Sequence, residues 1–393
     1  MAKRKPRALK TMGPPPDPAS FLEIFESVQD PRVVGRCAHS LESILLLVLC
    51  AVISRANEIT EIEYYGLARE KQLSKLVSFP NGIPSHDTIG RVLGLLDPDQ
   101  LERAFTRWMN RAAELTDSEV VAIDGKTLRR ARDKAGVGFV HMVSAWAVRN
   151  GVVLGQVKTD DKSNEITAIP RLLELLQIKG CIVTIDAMGC QTAIAEQIVE
   201  AGADYILAVK DNQPKLLEAV SETFDEKLSG RRRPADVSFT ETKNKGHGRR
   251  EVRRCWTIAV PEDSALRERW RGLETFIMVE AERTLGDKTS LATRWFISSR
   301  SALDATTALG AIRDHWGIEN KLHWVLDVAF REDESRVRAE NAAENFVVFR
   351  HIALNLLRNM KSSRRGVKGR RNTAAWSEDF FLQVLTGGVD LVR

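Results

Sequence analysis

The chain has no apolar run long enough to cross a bilayer. Its longest, ILLLVLCAVI from Ile44 to Ile53, is about half of the ~20 residues a spanning helix needs and reads as a buried helix. A secretory leader is also missing, because the basic start MAKRKPRALK runs into TMGPPPDP instead of an apolar segment. Cysteine is scarce and scattered. The five residues (Cys37, Cys50, Cys181, Cys190 and Cys255) form no CxxC pair, which argues against a disulfide framework or a zinc knuckle and fits a reducing cytoplasm. Neither GxGxxG nor GxxxxGK[ST] occurs, so a nucleotide-binding α/β enzyme is not indicated.

Net charge is also low, at +5 over 393 residues, but the cations are clumped. KSSRRGVKGRR (361–371) holds six Lys/Arg and no acid, and RRRP (231–234) with KNKGHGRREVRR (243–254) forms a second basic region. Such clusters suit a phosphate backbone, since each neutralised phosphate releases counterions. A solvated face or a loose tail would have the same composition. Within the second region the candidate backbone contacts are Lys243, Lys245, Arg249, Arg250, Arg253 and Arg254.

Patterning divides the chain into five parts. Residues 1–18 read as a flexible basic arm. Residues 19–116 are helical throughout, with Ser85 an N-cap after the breaker FPNGIP; the short helix it opens suits either DNA reading or a plain helical hairpin. From Glu119 the pattern alternates. EVVAIDGKT reads as a strand ending at Asp124, and GFVHMVSAWAVRNGVVLGQVKT as two strands joined at Asn150-Gly151. CIVTIDAMG is a further strand, ending at Asp186, and DYILAVK another; in DNQPKLLEAV, Asp211 or Asn212 is the expected cap and Pro214 the opening residue of a helix. A meander followed by helix-separated strands implies a mixed sheet with helices on its faces, over 117–230 and 301–360. Residues 231–300 are β-rich and read as an insertion, and 361–393 as a basic C-terminal tail.

Two carboxylates stand out because apolar strands deliver Asp124 and Asp186 where the chain turns at small residues. An isolated Asp there is more often a turn or helix cap; two matched instances suggest a shared divalent cation. HWGIENKLHWVLDVAF then places His315, Glu319, His323 and Asp327 at four-residue intervals on what reads as one long helix, with Trp316 and Trp324 beside them. Such positions share a helix face. If that face meets the strand ends, Glu319 supplies a third oxygen ligand, and an oxygen-rich site suits Mg²⁺ or Mn²⁺. Zinc on His315, Glu319 and His323 is a poor match to HExxH, and a polar face of paired charges is the plainest alternative.

AIDGKTLRRA, KSNEITAIPRLLELL, TIDAMGCQTAIAEQI, GADYILAVKDNQP and IRDHWGIENKLHWVLDVAFREDESRVR occur in this order. With them the chain resembles the DDE insertion-sequence transposases, H-repeat-associated subgroup, over roughly residues 20–360. The resemblance implies an RNase H-like catalytic core with a β-rich insertion, an all-helical N-terminal domain often assigned to DNA binding, and the acids Asp124, Asp186 and Glu319 as catalytic metal ligands. It implies Mg²⁺ (or Mn²⁺) as cofactor, double-stranded DNA as partner, a homodimer on DNA, and cleavage of element ends followed by strand transfer. A nuclease without joining, or an inactive DNA-binding descendant, stays open. The broader group's Tyr-x2-Arg-x3-Glu-x6-Lys signature is not met: Ile312, His315 and Leu326 stand at those positions. Lys321 and His323, with His315 and Asn320, are the candidates to replace its DNA contacts. Asp327, Asp333 and Glu334 remain alternative third acids.

Overall fold

The computed structural model describes residues 25–33, 35–113, 115–132, 139–159, 165–230, 234–246, 248–360 and 363–386. The expected basic arm, the arginines at 231–233 and Lys361 lie outside them.

After a helical turn at residues 25–26, the described residues form α1 (Leu41–Ile53), α2 (Ile59–Leu73), α3 (His86–Leu95) and α4 (Pro98–Ala112). α1 is the apolar run noted above. Ser40 caps it, accepting from the Ser43 amide, and of its side chains only Glu42 reaches solvent. No helix among the described residues is long and apolar enough to cross a membrane. Ser85 caps α3 as expected, accepting from the Thr88 amide.

The strands form one sheet of nine in the order β3-β2-β1-β4-β5-β9-β8-β7-β6. β1 (Val120–Arg132), β2 (Phe139–Ala147) and β3 (Val152–Thr159) make an antiparallel meander. Its β2–β3 turn carries Gly151 at φ +71°, a backbone conformation that costs glycine little. β4 (Ile182–Ile185) runs parallel to β1, and β5 (Asp204–Val209) parallel to β4. This order, 3-2-1-4-5 with only β2 running against the other four strands, is the RNase H-like core. α5 (Glu165–Leu175) and α6 (Thr192–Glu200) make the crossovers that parallel strands require, and α7 (Pro214–Leu228) follows β5. Every residue of β2 after Phe139 is buried. Since alternate residues face opposite sides, both faces of this part of the sheet are covered.

The β-rich stretch is not separate from that sheet. β6 (Ser238–Gly246), β7 (Arg249–Ala259), β8 (Thr275–Leu285) and β9 (Lys288–Ser298) extend it, with β9 pairing antiparallel to β5 from Val209↔Trp295 to Ile206↔Ser298. A short helix α8 (Leu266–Arg269) lies between β7 and β8. After the sheet come α9 (Ala305–His315), a π-helical turn (Ile318–His323), α10 (Trp324–Phe330) and a 3₁₀ turn (Glu332–Glu334). α11 (Ala342–Asn359), α12 (Val367–Trp376) and α13 (Glu378–Thr386) complete the chain.

One continuous apolar core runs from Phe25 through the sheet to Leu385. α11 is its strut, packed on α1, α3, α4 and β3. Two of its buried asparagines make the joints. Asn345 Nδ2 donates to the carbonyls of Leu93 (2.7 Å) and Leu96 (3.1 Å), and Asn355 pairs with both backbone groups of Val153 (2.9 and 2.8 Å). The helices before β1 therefore share the core of the sheet. Residues 363–386 of the expected basic tail are likewise folded. Arg371 is 1% exposed, donating to the carbonyls of Val52, Ala56 and Ala329 with its guanidinium 4.2 Å over the Phe330 ring.

Candidate active site

Asp124 does not end its strand. β1 continues eight residues further, to Arg132; what ends beside Asp124 is β4. The last β1–β4 pair is Ile123↔Ile185, so Asp124 and Asp186 stand level on neighbouring strands, which lie about 4.8 Å apart. Parallel register keeps them on one side of the sheet, and both line a pocket of about 550 Å³ together with His315, Trp316 and Glu319. Asp186 also acts as a turn cap: its Oδ1 accepts from the amides of Met188 (3.0 Å) and Gly189 (3.4 Å). The Asp186 loop is fastened from the next crossover. Asn212 Nδ2 donates to the Ala187 carbonyl (2.7 Å) and Gln213 Nε2 to that of Cys190 (2.9 Å). Asn212 therefore does not cap α7, whose N-cap is Gln213 without a side-chain bond.

The residue after Asp124 has to be glycine. A Cβ on Gly125 would collide with Glu165 Oε1 and His141 Nε2. These two are bonded at 2.6 Å, and His141 Nδ1 pairs with Thr127 Oγ1 at 2.7 Å. This Thr127–His141–Glu165 chain, centred on the buried His141, backs the strand directly behind the first acid.

The helix bringing Glu319 is not one long α-helix. In a regular helix each four-residue step drifts about 40°, so His315 and Asp327 would point about 120° apart. The π turn at Ile318–His323 adds a residue and takes back about 100°. Both ends can then address the sheet: His315 Nδ1 meets Thr184 Oγ1 at the end of β4 (3.0 Å), and Asp327 meets Lys126 of β1 (2.8 Å). Widening a turn releases backbone groups, and the Lys321 carbonyl is taken by Arg358, whose guanidinium also lies 4.5 Å over the Trp146 ring.

Ligand atoms of Asp124, Glu319 and His323 lie within 4.8 Å of one another. His323 Nδ1 is 3.4 Å from Glu319 and 3.9 Å from Asp124, while its buried Nε2 has no partner among the described residues. His323, expected as a DNA contact, is 5% exposed and faces the acids instead. Lys321 is exposed. Burial pushes the Asp124 carboxyl up to about 7, with the His323 charge opposing and the Glu319 and Asp186 charges adding to it. The His323 hydrogen bond holds the half-exposed Glu319 carboxyl below its ordinary value, with a smaller contribution from its bond to Asp124. Burial keeps His315 low.

The other candidate acids are committed elsewhere. Asp327 and Asp333 grip Lys126 at 2.8 and 3.0 Å, with Glu332 at 3.3 Å, and Glu334 pairs with Arg331. Glu319 is therefore the acid of this helix that faces Asp124. His315, held by Thr184, does not join Glu319 and His323 in a zinc-type triplet. A buried carboxylate that resists ionising, a second carboxylate beside it and an imidazole whose Nδ1 faces both fit a divalent cation. The oxygens favour Mg²⁺ or Mn²⁺, and the nitrogen shifts the balance toward Mn²⁺. Trp316 is half-exposed at the pocket rim, with the Arg294 guanidinium 5.6 Å over its ring; Trp324 is also exposed.

Of the expected backbone contacts, Lys243, Lys245, Arg249 and Arg250 are exposed on the β6–β7 hairpin. Lys243 pairs with Glu241, Arg253 with Glu251, and Arg254 with Glu241 and Glu282.

A family model described as "DDE_Tnp_1-associated" matches residues 22–109, and one described as "Transposase DDE domain" matches residues 115–356. The chain is 44% identical over 377 residues to the "Putative transposase YncI" of Escherichia coli O157:H7, covering 95% of this chain and 96% of that one. It is 41% identical over 373 residues to the "H repeat-associated putative transposase YhhI" of Escherichia coli K12, covering 93% and 98%. Among solved structures, a piggyBac transposase synaptic complex with hairpin DNA aligns with a TM-score of 0.43 and 11% identity, over 94% of this chain and 82% of that chain. With a family model spanning most of its length, and relatives this similar over nearly all of it, the chain belongs to the DDE transposase family.

Proposed function

We propose that the protein cuts DNA at the ends of an insertion sequence and joins the freed 3′-hydroxyl to target DNA, with Mg²⁺ or Mn²⁺ as cofactor. The observation that carries this is the convergence of Asp124, Asp186 and Glu319 on one pocket from β1, β4 and the π turn. When bound, the cation supplies charge neutralisation at the phosphate and activates the attacking oxygen. Asp124 and Glu319 would hold it, with Asp186 on the adjoining strand and His323 as nitrogen donor. The protein positions these groups and forms no covalent link to DNA. His141 and Glu165 fix the backbone under Asp124, and the Thr184–His315 bond fixes the start of the helix that carries Glu319. Both element ends must be held at once, so the working unit is a homodimer or larger assembly on DNA.

The test uses a duplex carrying the inverted repeats that flank the gene. Asp124→Asn, Asp186→Asn and Glu319→Gln should each lower metal-dependent cleavage by about 10²-fold or more while leaving duplex binding unchanged. Full activity in Glu319→Gln would refute the assignment. Cleavage without joined product would leave a nuclease. Millimolar Mn²⁺ should raise the melting temperature of the wild type but not of Glu319→Gln, a readout independent of turnover.

A further inference from the structure

β1 continues past the acids to a second feature. Beyond Thr127↔His141 the next pair is Arg132↔Phe139, so five steps of β1 face two of β2 and the strand bulges. Consecutive residues of a flat strand face opposite sides, yet Arg129 and Arg130 are both exposed here. The segment after the 3₁₀ turn approaches them in extended form. Val337 is buried, and Arg336 and Arg338 on either side of it are exposed. These four arginines and Phe139, 52% exposed, line a cleft of about 600 Å³ with no acid among its lining residues. Arg129 is held 3.3 Å from Asp333. Arg130, Arg336 and Arg338 have no salt bridge among the described residues.

On their far side Arg130 and Arg336 also border a second pocket, lined by Glu58, Glu61 and Glu334. Inside the cleft itself the four guanidiniums face one another with no acid between them, and an anion placed there relieves their repulsion. Guanidinium forks match phosphate oxygens two at a time. An exposed aromatic ring beside them suits a sugar or base face. The position identifies the anion. Arg129 is five residues along β1 from Asp124, about 17 Å at ~3.3 Å per residue, the span of about five base pairs at ~3.4 Å each.

We propose that this cleft is a clamp for the DNA backbone, taking phosphates of one strand about five base pairs from the bond held at Asp124. The clamp rests on the reading of the acid pocket as a phosphoryl-transfer site. It adds a flank contact on β1 and the 335–338 segment to those expected of the basic hairpin.

The test is fluorescence anisotropy with a fluorescein-labelled mixed-sequence duplex over a salt series, using the full chain. Arg336→Ala/Arg338→Ala should weaken binding at least about tenfold and reduce the slope of log K against log salt by about two. Arg130→Ala, on the opposite wall, should reduce it by about one, and Arg336→Lys/Arg338→Lys should keep the slope of the wild type. All of these side chains are exposed, so melting temperatures should not move. Unchanged affinity and slope in the double alanine variant, with the wild type binding duplex, would overturn the clamp and leave the acid-site reading standing. A wild type that binds no duplex sinks both. Equal affinity for poly-glutamate, lost in the same variant, would assign the cleft to an acidic protein and overturn the clamp.

Discussion

KNKGHGRREVRR and KSSRRGVKGRR look alike as text but end in opposite physical situations. In the first, Lys245, Arg249 and Arg250 stand exposed at the free end of a hairpin, without acidic partners among the described residues. In the second, Arg371 is buried across α1 and α10, and Arg370 donates to the Leu357 and Arg358 carbonyls at the end of α11 (2.7 and 3.0 Å). The difference lies in what surrounds them. A helix leaves its last carbonyls unpaired, and the ends of α1, α10 and α11 come together where this segment crosses them. Five donors in a rigid fork can satisfy several such carbonyls at once, which a solvated lysine cannot. A basic cluster is thus a surface for DNA only where no such acceptors await it.

Removing the buried cation should have the largest effect on that contrast. Arg371→Ala removes the guanidinium donor from the carbonyls of Val52 and Ala56 at the end of α1 and of Ala329 in α10 and should cost about 3–5 kcal/mol in urea denaturation. Arg371→Lys should recover only part of it. A loss below about 1 kcal/mol would mean that the Arg371 contacts hold nothing together and the two segments are alike after all. Next comes the hairpin. The triple variant Lys245→Ala/Arg249→Ala/Arg250→Ala should leave stability within about 0.5 kcal/mol. It should weaken binding to all duplexes alike, reducing the salt slope by up to about three; a loss confined to one sequence would assign these residues to base reading.

The smallest effect tests the converse case, a buried charge with no leftover partner. Glu102 on α4 is 3% exposed and its Oε1 is unpaired. Burial, reinforced by Asp99 and Glu344, pushes its carboxyl well above the ordinary range. An acid whose folded value is raised contributes stability that is complete below its unfolded value, about 4.5, and lost as pH rises through the folded one. Glu102→Gln should therefore flatten the alkaline side of the stability profile by on the order of 1 kcal/mol. An unchanged profile would show that Glu102 is already charged and satisfied.

The parallel strands, the Asn150-Gly151 hairpin and the buried α1 follow from apolar patterning and turn chemistry, which are local signals. Asp124 and Asp186 stood out as candidates because apolar strands deliver both at matched positions, while helix spacing alone left the third acid open among Glu319, Asp327, Asp333 and Glu334. What stayed hidden depends on contacts distant in sequence. The end of β4, not of β1, frames Asp124; β9 joins β5 across about 90 residues; and Arg371 finds carbonyls more than 300 residues away. The arginine cleft left a faint trace in SRVR, where arginines flank an apolar residue at strand spacing. Its other wall needs the β1 bulge, which no sequence period announces. His323 was offered as a stand-in for the missing DNA contacts by position alone; its burial against Asp124 and Glu319 comes from the widened turn, which position does not reveal.

That turn has a further implication. Thr184 fastens the helix upstream of it and Lys126 fastens the helix downstream, and the two attachments agree only because one surplus residue lies between them. Deleting Gly317 would restore regular winding, and one attachment would have to let go. A descendant shortened by that single codon would still display every acid in its text while no longer assembling them in space. Length here, more than identity, decides whether the three acids meet.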